Sequence, residues 1–99
     1  MARVPTIGVG IPWYRRDDYP RILQIMADSD ELSPTYDEWE KRAQFKERDV
    51  IASGLTPYRA YIEPDKFRAW CVMRGRELNA DSRIMFAGDR ANWDIGPSH

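Results

Sequence analysis

The sequence predicts a mostly helical α/β domain, α+β-like, with about four helices and a very small two-stranded sheet in the order β-α-α-β-α-α. Three observations predict it. Two short segments alternate apolar and polar residues with a period of two, and several longer ones repeat apolar residues at helical spacing. Capping residues, prolines and glycines fall at the ends of those segments. Two helical segments separate the strand-like ones, and a connection of that length suits parallel pairing.

Residues 6–11, TIGVGI, place Ile7, Val9 and Ile11 on one face and Thr6, Gly8 and Gly10 on the other. Glycine weakens a strand and marks bulges, so residues 1–10 read either as a first strand or as a flexible arm. Asp17 or Asp18 caps a first helix with Pro20 in its opening turn, and Ile22, Leu23, Ile25 and Met26 form its apolar side. The next helix, residues 36–53, carries the strongest local signal. Thr35 and Glu38 form a capping box, Asp37 and Glu38 suit the positive end of the helix dipole, and Gly54 supplies a left-handed stop. Tyr36, Trp39, Ala43 and Val50 recur at helical spacing within it.

TPYRAYIEP returns to the period of two, with Tyr58, Ala60 and Ile62 on one face and Arg59, Tyr61 and Glu63 on the other. Pro64 opens a third helix carrying Phe67, Trp70 and Cys71, and Gly75 stops it. A fourth starts near Asn79 and carries Ile84, Met85, Ala87 and Ala91. Residues 1–92 therefore read as a single globular domain and residues 93–99 as a tail.

Composition narrows the function. With 42% hydrophobic and 12% aromatic residues the chain has enough apolar surface to fold. Its net charge of −1 lacks the basic footprint of a nucleic-acid binder. Asp28 to Asp49 is mainly acidic and Arg59 to Arg90 mildly basic, a polarity that suits self-association or an acidic partner. No run is long enough to cross a membrane and no signal peptide is recognisable, so a cytoplasmic location is expected.

No catalytic set assembles. Cys71 is the single cysteine and His99, in the tail, the single histidine, so neither a Cys–His pair nor a serine triad is expected. ADSDEL lacks the glycine and distal glutamate of a calcium loop, and GVG lacks the third glycine of a dinucleotide loop. Neither a metal nor a cofactor is expected, and the chain leans away from being an enzyme.

The stretch WYRRDDY carries the one candidate site: Trp13, Tyr14, Arg15, Arg16 and Tyr19. In one reading the aromatics and arginines meet a protein partner or an anionic ligand. In the other, Trp13 and Tyr14 pack the chain entry onto the core, the aspartates cap the helix and the arginines pair with nearby acids. The leading expectation is accordingly a small, non-enzymatic, self-associating protein-interaction module, and the alternative is a small-molecule binding protein or enzyme with a pocket for an anionic ligand near this stretch. An exposed pair of sheet edges favours a homo-oligomer.

PWYRRDDYP, PTYDEWEKRA and IEPDKFRAWCVMRG, in that order, resemble a group of small cytosolic proteins of proteobacteria with no assigned function. The resemblance covers about residues 11 to 88. It implies a single compact domain, and no substrate, cofactor or catalytic residue.

Overall fold

The computed structural model describes residues 8–95, with side chains through residue 92. The chain runs β1 (Gly8–Trp13), α1 (Tyr19–Ile25), α2 (Tyr36–Ala52), β2 (Thr56–Tyr61), α3 (Pro64–Arg74) and α4 (Ala80–Ile95), the expected order. Short 3-10 turns at Arg16–Asp18 and Ser29–Glu31 precede and follow α1. Thr6 and Ile7 of the expected strand, the start of the expected arm and residues 96–99 with His99 lie outside the described residues.

β1 and β2 pair in parallel, from Gly8 opposite Thr56 to Trp13 opposite Tyr61. The Ile62 amide donates to the Trp13 carbonyl at 2.8 Å, which turns the polar groups of Trp13 toward β2. Backbone groups alternate along a strand, so Pro12 occupies a position whose amide would point away from β2. The register turns Pro57, opposite Val9, away from β1 in the same manner. Each proline therefore costs no ladder hydrogen bond and removes a donor from an outer edge.

The sheet is covered on both faces. On one, Ile11 and Trp13 are buried against α2, where the Trp13 and Trp39 rings meet edge-on with centroids 5.2 Å apart. Arg59 shares that face: its guanidinium lies 4.0 Å from the Trp13 ring centroid and donates twice to Glu47 of α2, at 2.7 and 2.9 Å. On the other face α4 crosses Gly10 so closely that a Cβ there would stand 2.2 Å from the Ala87 carbonyl oxygen and 3.1 Å from the Ala91 Cβ. The sequence offered Gly10 as the mark of a bulge or a loose arm. It is instead the point of closest approach between helix and strand, and only glycine fits.

Caps and stops follow local chemistry. The Glu38 amide donates to Thr35 Oγ1 at 3.2 Å, the Lys66 amide to Glu63 Oε2 at 2.9 Å and the Ser82 amide to Asn79 Oδ1 at 3.0 Å. Each satisfies one of the amides that a helix start leaves without a partner. Gly54 and Gly75 take φ of 83° and 64°, the left-handed stops expected of them. The aspartate cap of α1 is not formed: Asp18 occupies the cap position with helical backbone angles and makes no capping bond, because the chain enters α1 through a 3-10 turn.

α4 departs from expectation twice. It continues through residues 93–95, which the sequence assigned to a tail, and the adjacent pair Gly96 and Pro97 follows directly in the sequence. Its inward face is Ser82, Arg83, Phe86, Ala87 and Ala91, while Ile84 and Met85 are exposed. Close packing on Gly10 demands small side chains at Ala87 and Ala91, the two positions that meet it. Phe86 meets Phe67 and Trp70 of α3 edge-on, both at 5.4 Å, and Ile22, Phe67 and Cys71 are fully enclosed.

Candidate functional site

WYRRDDY is divided between core and surface. Trp13, Tyr14 and Tyr19 are each 2% exposed, whereas Arg15 and Arg16 face solvent. Tyr14 packs against Trp39 and Tyr19, with centroids 4.7 and 5.7 Å apart, and the Tyr36 hydroxyl donates to the Tyr14 carbonyl at 2.9 Å. The Tyr19 hydroxyl donates to the Ser33 carbonyl, tying α1 to the loop before α2. Arg15 lies over the Tyr61 ring at 4.5 Å; Arg16 lies over Tyr36 at 4.6 Å and pairs with Asp37 at 2.7 Å. The five residues do not converge on one surface. The three aromatics belong to the core, because the inward face of β1 runs on from Ile11 to Trp13 and the chain turns inward again at Tyr14.

One member of the stretch nevertheless reaches a cavity. A hollow of about 330 Å³ opens beside the outer edge of β1, between α2 and α4. Ile11 and Pro12 of β1, Leu32 of the loop before α2, Trp39 and Ala43 of α2 and Ile84 of α4 supply its apolar lining. Tyr14 and Arg83 line it too, together with Arg42, Lys46 and Glu31. Its volume is of the order typical for small-molecule sites, roughly 300–1,000 Å³. A larger hollow, about 540 Å³, lies between α3 and α4. Its polar groups are matched within the fold: Arg74 pairs with Asp89 at 3.5 Å and lies over Trp70, and Arg90 and Asn92 also have partners. The smaller cavity therefore has the better claim.

Arg83 is almost fully buried and donates to both carboxylate oxygens of Asp28, at 2.7 and 2.8 Å. That hydrogen-bonded guanidinium holds the Asp28 carboxyl below its ordinary pKa. Burial works against the charge on Arg83, yet its bonds to Asp28 and Tyr14 raise its pKa. Burial also pushes the Tyr14 phenol up to about 12, although the charge of Arg83 pulls the other way. The pair is thus charged but neutral in sum, and the phenol beside it stays protonated.

The remaining charges of the lining are less fully committed. Arg42 donates to the neutral Ser33 hydroxyl at 3.2 Å, and Lys46 lies one turn further along α2. Among the lining residues Glu31 is the one carboxylate. Two cations therefore oppose one acid once Arg83 is balanced by Asp28.

Cys71 is buried, and its thiol is pushed above its ordinary pKa by that burial. Among the described residues no three metal-ligating side chains gather, and no helix is long and apolar enough to cross a membrane. No family model, curated protein or solved structure matches the chain.

Arg42, Lys46 and Arg83 were not singled out from the sequence. For Arg83 a signal existed: it lies four residues before Ala87 and eight before Ala91, so extending the small-residue stripe backward puts an arginine on the inward face, where it needs an acid.

Proposed function

We propose that this chain is a small, non-catalytic binding domain that takes an anionic small molecule in the cavity between α2 and α4. The cavity itself supports this reading: apolar walls of ligand-site size, with Arg42 and Lys46 outnumbering Glu31 among the charges that line it. Pro12 strips a donor from the strand edge beside the cavity, which suits a ligand better than an added strand.

The test is a thermal-shift screen of phosphates, nucleotides, carboxylic acids and sulfonates against the parent protein and Ile84→Trp. Ile84 is 62% exposed, so an indole there adds bulk at the cavity without overpacking the core. Stabilisation of the parent by an anion, lost in the variant, is the expected result. Stabilisation of neither, or of both equally, would sink the proposal.

A second reading, a protein-interaction module, draws on Val72 and Met73, which are 72% and 87% exposed side by side on α3. It does not draw on Trp13, Tyr14 or Tyr19. Sedimentation at several concentrations, with Val72→Lys as control, tests the self-associating form: a monomer throughout removes it.

A further inference from the structure

We infer that the ligand of the α2–α4 cavity is an apolar-tailed monocarboxylate, its carboxylate held by Arg42 and Lys46 and its hydrocarbon laid against Ile11, Pro12, Leu32 and Ile84. The inference rests on the cavity being the binding site, as proposed above, and names what enters it.

Three features select that class. The first is the state of the aromatic rings. Tyr14 and Trp39 line the cavity but are 2% and 8% exposed, and their faces are spent on each other and on Trp13 and Tyr36, with centroids 4.7 to 5.2 Å apart. A nucleobase needs a free ring face on which to stack, and these rings offer little. The second is charge. Arg83 is neutralised by its two bonds to Asp28, so Arg42 and Lys46 against Glu31 leave a single net positive charge. That balance matches a monoanion, whereas a polyphosphate would bring several charges against Glu31. The third is the walls. The side chains of Ile11, Pro12, Leu32 and Ile84 offer no hydrogen-bonding group, so sugar hydroxyls would surrender their water unmatched, while methylenes gain from leaving it.

Calorimetric titration with hexanoate, octanoate, octan-1-ol and ATP tests the class. Each methylene buried multiplies affinity by about fourfold, so octanoate should bind roughly fifteenfold more tightly than hexanoate. Arg42 and Lys46 are exposed, and Arg42→Gln with Lys46→Gln should fold as the parent does, bind octanoate at least about tenfold more weakly and bind octan-1-ol unchanged. The exchange Arg42→Lys with Lys46→Arg keeps both charges and should retain octanoate binding. Octan-1-ol or ATP binding as tightly as octanoate, with Ile84→Trp blocking it, overturns the carboxylate class and leaves the cavity standing. Octanoate binding that Ile84→Trp does not touch overturns the cavity itself.

Discussion

Arg83 of α4 and Asp28, in the loop after α1, face each other through two parallel hydrogen bonds of 2.7 and 2.8 Å, with side chains only 8% and 14% exposed. Removing one partner strands a buried charge. Arg83→Met should cost about 3–5 kcal/mol, and adding Asp28→Leu should recover much of that loss, since an apolar pair can replace a buried ionic one. Urea unfolding of the two single variants and the double variant closes the cycle; additive losses would mean the pair is not coupled.

The same pair sets an acid limit. The folded-state pKa of Asp28 is lowered, so its contribution is full above the unfolded value, about 3.9, and is lost as pH falls through the lowered folded value. Stability measured from neutral pH down to about 2 should fall less steeply in Asp28→Asn than in the parent.

Tyr14 gives an alkaline counterpart. Its folded pKa is raised to about 12, so the stability it contributes is present below the unfolded value, about 10, and is lost as pH rises toward 12. Ultraviolet titration should show a phenol that ionises only as the fold opens, and Tyr14→Phe should lack it. A normal titration of that tyrosine in the native state would contradict its burial.

Gly10 and Gly88 form a matched comparison. An alanine at Gly10 meets the Ala87 backbone and should cost about 1–3 kcal/mol or more. At Gly88, inside α4, an added Cβ meets nothing within 4 Å, so alanine should stabilise by up to about 1 kcal/mol through helix propensity. Thermal melts of both variants should move in opposite directions.

Within WYRRDDY the effects should separate by neighbour. Trp13→Ala removes a buried indole and should cost about 3–5 kcal/mol, while Arg16→Ala breaks an exposed, solvent-screened pair and should leave stability nearly unchanged. Equal losses would mean that the stretch acts as a unit.

The elements were legible because their signals are local. The capping box at Thr35, the opening Pro64 and the stops at Gly54 and Gly75 each depend on residues within a few positions. The parallel pairing followed from the length of the crossover. The inward turn of Trp13 was half legible, since the alternation through Ile11 reaches it two residues on. The cavity was not legible, because its lining is drawn from β1, the loop at Leu32, α2 and α4, segments that only the tertiary fold brings together. Arg83 was half legible: its spacing from Ala87 and Ala91 points inward, but a charged residue reads as surface until its partner, fifty-five positions away, is known.

The parallel ladder also bears on how the chain reaches this state. Gly8 pairs with Thr56, so all of α1 and α2 must be made before β1 has a strand to join, and α4 must follow before the other side of Gly10 is covered. A local hairpin cannot seed such a sheet. Closing so long a loop early is entropically expensive, so the pairing that builds this sheet is non-local. During synthesis β1 waits unpaired until β2 has been made. Pro12 removes a donor from its outer edge, which leaves that edge a poorer template for a second strand.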